Sequence, residues 1–286
     1  MESLPLQAHV KYRRGSLYKY KSLRGANLDH VREIVRDSMI YCPRPEQLND
    51  PQECKPQMVI GDIADPAYWP KVEAWVRRCV SHRVPPPDEK EIQAELAGLT
   101  QRKLEELVKQ SADSYHREVN NQYRILSLSN SVKNHHLWTK YADSYKGVCL
   151  DFFVDPMLGS AYAVSYTDEY PALDITNNEG FDAMRQTLLV KRTQWEAEGE
   201  YRMVFKEPPM EDDPALVHQR LQFPEPLLKG IIFGAHVAED HRRFLKKLAR
   251  FRKSDLAFFT AHPAPEKLGE VHIRTLSSGT SQNATG

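Results

Sequence analysis

YRILSLSNSVKNHHLWTKYADSYKGVCLDFFV, residues 123–154, decides the fold class. Its first eight residues alternate in the manner of a strand. Tyr123, Ile125 and Ser127 fall on one side of an extended chain, Leu126 and Leu128 on the other. The middle, VKNHHLWTKYAD, changes to a helical pattern in which Trp138 and Tyr141, three apart, are neighbours on one face. Gly147 follows as a natural left-handed terminator of that helix. KGVCLDFFV (146–154) is then a strongly apolar strand.

Working toward the N-terminus, SLYKYKSL (16–23) alternates again, with Leu17 opposed to Tyr18 and Tyr20. Asn27 is placed to cap the helix LDHVREIVRDS, whose Leu28, Val31, Ile34 and Val35 share a face. MIYC (39–42) reads as a short strand, and PRPEQLNDPQE forces turns, with an Asx-type hydrogen bond expected at Asn49-Asp50-Pro51. Residues 65–119 change character. A helix with Trp69, Val72, Val76 and Val80 near one face is broken at Pro85-Pro86-Pro87. One or two amphipathic helices follow, with Ile92, Leu96, Leu99, Leu104 and Leu107 inward. This stretch reads as a helical insertion packed on the sheet.

Toward the C-terminus, AYAVSYT (161–167) reads as a strand, NNEGFDAMRQTLLVKRTQW as mostly helix and GEYRMVFK (199–206) as a strand. An acidic, proline-rich loop, EPPMEDDPAL, leads to the buried strand LLKGIIFG (227–234). EDHRRFLKKLARF is an amphipathic helix with a basic outer face, and SDLAFFTAH and GEVHIRTL close the fold as strands. Strands and helices do not alternate strictly, so a doubly wound parallel sheet is not expected. The pattern predicts an α+β fold: a twisted, mostly antiparallel sheet with flanking helices. The expected organisation is a loose arm over 1–15, a single domain over 16–275 that contains the insertion 65–119, and a disordered tail over 276–286.

The chain has 286 residues, and its 39 Lys+Arg balance its 39 Asp+Glu. A basic footprint for nucleic acid is therefore absent at whole-chain level. No stretch approaches the ~18 consecutive apolar residues of a membrane span, and MESLPLQAHVKYRRG lacks the pattern of a secretory signal. Cys42, Cys54, Cys79 and Cys149 show no C-x-x-C spacing, which favours free thiols in a reducing compartment. A cytoplasmic location is the resulting expectation.

The usual nucleotide-binding, zincin and hydrolase motifs are missing. What stands out is Trp195-Glu196-Ala197-Glu198-Gly199-Glu200-Tyr201-Arg202. Alternation puts Glu198, Glu200 and Arg202 on one side of an extended chain. Such a row is either a charge ladder on a solvent-facing edge strand or the border of a pocket. In a pocket, one carboxylate can serve as acid or base while the arginine holds the other ionised. Trp138 and Tyr141 read either as core aromatics or as a platform for a flat ring, and Tyr18 and Tyr20 likewise. Glu53-Cys54-Lys55 has the form of half a metal-dependent nuclease site, but no upstream aspartate is suitably placed and Pro51 and Pro56 disfavour a central strand. His135 and His136 point in different directions on their helix, so no metal is expected.

Together these segments resemble the bacterial domain-of-unknown-function 2971 family, whose members carry a Y-K-Y start, an F-N-D-P turn, a W-x-x-Y-A-x-x-x-x-G segment and a W-x-x-E-x-E-x-R strand. The resemblance runs from about Leu17 to Gly234, with Leu48 in place of the family's usual Phe at the turn. The order of the segments is also similar to that of ADP-ribosyltransferases. That likeness implies NAD as ligand, bound without a glycine fingerprint, and a macromolecular acceptor as a further partner. Glu200, or Glu198 beside it, would engage the nicotinamide ribose. Arg202 would hold the glutamates or a phosphate. Tyr18, Lys19 and Tyr20 on the first strand, Ser127 in the middle segment, and Trp138 and Tyr141 would line the NAD site. Transferases of this class carry Arg or His on the first strand, where this chain has Tyr18-Lys19-Tyr20. The alternative expectation is a non-catalytic nucleotide- or metabolite-binding or protein-interaction module, in a stress or phage-defence setting.

Overall fold

A computed structural model describes residues 15–154, 160–177, 180–207, 216–217 and 219–276. The expected arm before Gly15, most of the acidic loop and the expected tail beyond Leu276 lie outside those residues. The strands are β1 (Gly15–Lys21), β2 (Met39–Tyr41), β3 (Gln57–Val59), β4 (Tyr123–Ser129), β5 (Val148–Val154), β6 (Tyr162–Ala163), β7 (Ser165–Tyr166), β8 (Ala172–Asp174), β9 (Val190–Lys191), β10 (Glu200–Lys206), β11 (Leu216–Val217), β12 (Arg220–Gln222), β13 (Leu228–Gly234), β14 (Ala257–Pro263) and β15 (Val271–Thr275). The helices are α1 (Ala26–Arg32), α2 (Trp69–Ser81), α3 (Glu89–Ala97), α4 (Gln101–Gln122), α5 (His135–Lys140), α6 (Gly180–Leu188) and α7 (Glu239–Ala249). The fold is α+β, as the pattern predicts. No described helix is long and apolar enough to cross a membrane.

The chain divides into two compact units. The first takes residues up to Pro43, Arg124–Val164 and Gln194 onward; the second takes Arg44–Tyr123 and Ser165–Thr193. The helical insertion expected over 65–119 falls within the second unit, which is wider than that stretch.

The first unit is built on an eight-stranded sheet in the order β15-β14-β13-β5-β1-β4-β10-β6. Its β1–β4, β1–β5 and β5–β13 pairs are antiparallel and its β13–β14 pair is parallel. Alternation along the strands gives the sheet two different faces. Leu17, Leu126, Leu128, Leu150, Phe152, Met203, Phe205, Ile231 and Phe233 lie in the larger core cluster with Val31, Ile34 and Leu245. Tyr20, Cys149, Ile232 and Ala261 lie in a second cluster with Leu137, Trp138 and Tyr145, on which the half-buried Tyr18 and Tyr141 pack. Burial of such apolar surface stabilises by about 25 cal/mol per Å². The second unit holds two short parallel pairs, β3–β8 and β7–β9. There Val72, Val76, Val80, Leu96 and Leu104 make one core, and Met58, Val108, Leu173 and Ile175 another.

Several local expectations need correction. Asn27 lies inside α1, whose N-cap is Gly25; the Asn27 amide donates to Ser22 Oγ instead. AYAVSYT is two short strands, β6 and β7, that belong to different sheets. Leu107 is exposed, and Val108 takes the inward position on α4. The 53–55 stretch is turn and coil, so the E-x-K residues are not borne by a strand. Gly147 is not left-handed. The left-handed residues that end the helix are Asp143, Ser144 and Tyr145, at φ 49°, 51° and 65°. Glycine is required at 147 for a close approach, because a Cβ there would run into the Lys21 carbonyl oxygen.

Candidate functional site

Expectation and structure meet on the second sheet face of the first unit. The residues that alternate with the core-facing Leu17, Leu126, Leu128, Met203 and Phe205 are Tyr18, Tyr20, Ser127, Ser129, Glu200 and Arg202, so these six share that face. Tyr18 is directly opposite Ser129 on β4 and Asp151 on β5. Lys19 does not join them. It points to the Leu17 side and donates from Nζ to the Ser127 carbonyl oxygen at 2.7 Å. Helix α5 covers the face, with Asn134 accepting the Leu137 N–H as its N-cap.

Part of this face is closed. Trp138 is fully buried, donates from Nε1 to the Val132 carbonyl at 2.8 Å, stacks on Tyr145 at 5.4 Å and meets Tyr20 edge-on at 5.2 Å. Tyr20 is buried and donates to the Ser131 carbonyl at 2.7 Å; burial pushes its phenol well above the usual range. Tyr145, whose phenol burial pushes up to about 12, hydrogen-bonds His135 Nδ1 at 2.8 Å. Arg202 is fully buried, and its Nε donates to Glu200 Oε1 at 2.8 Å. Removing the charge of either partner would take a direct ion-pair contact out of a buried site. Trp138, Tyr20, Glu200 and Arg202 are all buried where they make these contacts.

Glu198 is different. It sits just before β10, in a short 3-10 segment over Thr193–Glu198, and so is not on the strand with Glu200 as alternation alone suggests. The chain around it is pinned from β4 and α5. Ser129 Oγ donates to the Glu198 carbonyl at 2.9 Å, the Asn130 N–H donates to the Gly199 carbonyl at 3.1 Å, and the Asn134 amide donates to the Ala197 carbonyl. Gly199 is left-handed at φ 52°, and a Cβ there would strike the Asn130 side chain. So fixed, the Glu198 carboxylate is 6 % exposed, accepts the Tyr141 hydroxyl at 2.7 Å and faces Lys140 Nζ at 3.5 Å. Lys140 Nζ also sits 3.5 Å from the Trp195 ring centroid and 5.0 Å from that of Tyr141. Lys140 is one-third exposed, and Tyr141 and Trp195 are half-buried. The result is a buried carboxylate under a rim of one cation and two aromatic rings that solvent reaches.

Reading the sequence alone missed Lys140 and Trp195 as rim residues, and Asp151. Asp151 is the one charge in the strand VCLDFFV, which was the available signal. Burial raises its carboxyl above the usual range, against a hydrogen bond from Ser16 and the charge of Lys229, and its Oδ1 is buried without a hydrogen-bond partner. Also missed was a cleft in the second unit lined by Asp50, Glu53, Lys191 and Arg192. The turn residues Asn49-Asp50-Pro51 carried no hint that a distant Lys-Arg pair meets them. Cys42, Cys54 and Cys149 are buried free thiols and Cys79 is an exposed one. Among the described residues no group of His, Cys, Asp and Glu is arranged to hold a metal ion.

No protein-family model, curated protein or solved structure matches the chain. The likeness to the domain-of-unknown-function 2971 family and to ADP-ribosyltransferases therefore rests on the sequence motifs alone.

Proposed function

We propose that the protein is an ADP-ribosyltransferase-like enzyme or NAD glycohydrolase in which Glu198, rather than Glu200, is the catalytic carboxylate. The observation that carries this reading is the fixed, buried Glu198 carboxylate under Tyr141, Lys140 and Trp195. In this chemistry the bond from the ribose C1′ to the nicotinamide nitrogen breaks. Nicotinamide leaves with the bonding pair as a neutral base, and C1′ becomes oxocarbenium-like. Water or an acceptor nucleophile then bonds to C1′ and gives up its proton. A carboxylate held in place before the reaction stabilises the developing cation without reorganising. The two half-buried rings offer flat surfaces for nicotinamide, and Lys140 offers a cation for a phosphate.

Incubation with NAD should release nicotinamide, and Glu198→Gln should lower that rate at least about 100-fold with little change in melting temperature. Glu200→Gln, which takes one charge out of a fully buried ion pair, should instead lower the melting temperature. Rate loss confined to Glu200→Gln would move the catalytic role to that residue. Absence of NAD consumption by the wild type, alone and with candidate acceptors, would overturn the reading. A second reading, nucleotide binding without turnover, is favoured by one contact: Lys140 already compensates the Glu198 charge at 3.5 Å. It predicts a rise in melting temperature with NAD and no product.

A further inference from the structure

The β15 edge of the large sheet gathers cations that the Glu198 reading does not use. On β14, Phe259 and Ala261 belong to the Trp138 cluster, so Thr260 and His262 lie on the opposite face, with Phe233 and Phe258. On β15, Val271 and Ile273 belong to the Trp138 cluster, so His272 and Arg274 lie on the same face as Thr260 and His262. Register then fixes two rows. Phe233 is opposite Thr260 and Thr260 opposite Arg274, while His262 is opposite His272. Residues directly opposite in an antiparallel pair have Cβ atoms about 5 Å apart, so the two imidazoles stand side by side.

Helix α7 adds a guanidinium to this face. Arg242 Nη2 donates to the Gly234 carbonyl at 3.1 Å and the Ala235 carbonyl at 3.3 Å, and its Nε donates to the Val237 carbonyl at 3.2 Å. Gly234 pairs with Ala261, so this guanidinium is tied down beside His262. Among the described residues its Nη1 has no partner. His236 follows on the same chain, with Nδ1 3.2 Å from the Ser144 carbonyl oxygen. Thr260 is buried, His262, His272 and Arg242 are half-buried, and Arg274 is exposed. Glu266 meets His272 Nε2 at 2.9 Å, and the exposed Glu270 close to His272 is engaged by Lys267. Among the described residues no carboxylate lies within ion-pair distance of His262, Arg242 or Arg274, and His262 makes no hydrogen bond. Burial lowers the His262 pKa from the ordinary 6.5, and Arg274, Arg242, His236 and His272 push the same way.

Two permanent cations and a pair of imidazoles, with Glu266 as the one carboxylate in direct contact, make a field of one sign, and such a field concentrates anions. Guanidinium groups favour oxyanions that offer several acceptors. A carboxylate brings a single charge and two oxygens. A phosphate brings more of both, and an imidazole that takes up a proton beside it adds a charge-assisted hydrogen bond. We infer that the His262, His272, Arg274 and Arg242 cluster binds a phosphate group, free or as a small-molecule monoester, and that His262 takes up a proton on binding.

The test is titration of the full chain with sodium phosphate, against sodium chloride at matched ionic strength, with the His262 imidazole followed by NMR between about pH 5 and pH 8. Phosphate should raise the His262 pKa by about one unit or more, because a bound anion favours the imidazolium. Affinity should therefore rise as pH falls through that pKa. Sodium acetate should bind more weakly than phosphate. Arg274→Gln, at an exposed position on the edge strand, should weaken phosphate binding at least about fivefold. Glycerol phosphate separates the two sources: tighter binding of the ester points to a phosphorylated metabolite, and tighter binding of phosphate points to the free ion. An equal His262 shift in chloride would show screening alone and overturn the proposal. No shift in phosphate, or acetate binding as tightly as phosphate, would overturn it too. These comparisons use wild-type protein, so they decide the matter even if the variant folds poorly. Because NAD is absent throughout, failure here is separate from failure of the Glu198 reading.

Discussion

At the scale of single residues, burial and pairing separate side chains that the sequence presents as equals. Glu198 and Glu200 are two apart and alike in type. One is locked to a fully buried arginine, and the other lies beneath a solvent-reached rim. The difference comes from Gly199, whose left-handed backbone breaks the alternation, so a period-two reading could not foresee it. A pH prediction belongs at this scale. His30 lies flat on Tyr41 with ring centroids 5.2 Å apart, and its Nδ1 is buried without a hydrogen-bond partner. Burial lowers its pKa from the ordinary 6.5. Lys21 and Arg220 push the same way, against Glu33 and Asp29. Between the lowered folded value and about 6.5 the unfolded chain binds the proton more readily. The contribution to stability is therefore complete above about pH 6.5 and is lost as pH falls below it. His30→Gln should flatten the acid side of a urea-midpoint-against-pH curve between about pH 7 and pH 5. Parallel wild-type and variant curves would show that this ring does not titrate as argued.

At the scale of elements, patterns with enough apolar residues were legible. β1, β4, β5, β10 and β13, and helices α2, α4 and α7, lie where alternation or helical spacing puts them, because burial of one face enforces the period. The two-residue strand β9 is too short for any period to declare itself, and it exists through parallel pairing with β7, distant in sequence. The end of α5 is the instructive case. Its stop is built from three consecutive left-handed residues, Asp143, Ser144 and Tyr145, none of them glycine. Gly147, which the sequence nominates as the terminator, serves instead to let the chain pass against β1. There its N–H donates to the Ala142 carbonyl at 2.8 Å and its carbonyl accepts the Gly234 N–H at 3.0 Å. Since a Cβ would meet backbone rather than a movable side chain, Gly147→Ala should destabilise by about 2 kcal/mol or more. The loss is read from the urea midpoint at unchanged m-value. A midpoint within error of wild type would mean that Lys21 and Ala142 can give way.

At the scale of the whole molecule, the fold class was legible because the order of elements excludes strict β-α alternation. Which strands pair was not, because neighbours in the sheet are remote in the chain. Tyr18 pairs with Ser129, and Gly15 with Val154. β13 then joins β5 from the far side, with Ile232 opposite Cys149. The same remoteness hid the cleft, whose walls come from the 50–56 turn and from 167–192. It also has a kinetic consequence. Each of these pairings must close a long loop before any hydrogen bond offsets the lost entropy, and that makes folding slow for a chain of a given stability. Trp138, fully buried over the β1–β5 face, reports on that event. A variant that keeps Trp138 as its only tryptophan, with Trp69, Trp75 and Trp195 replaced by Phe, isolates the signal. Its refolding after dilution from urea should proceed in milliseconds to seconds, the range of proteins rich in non-local strand pairing. The rate should fall with rising denaturant, as expected if the transition state has already buried most of the sheet. Full recovery of the Trp138 signal within microseconds would mean that local contacts around α5 bury the ring before β1 finds β4 and β5, and the sheet would then not be what sets the rate.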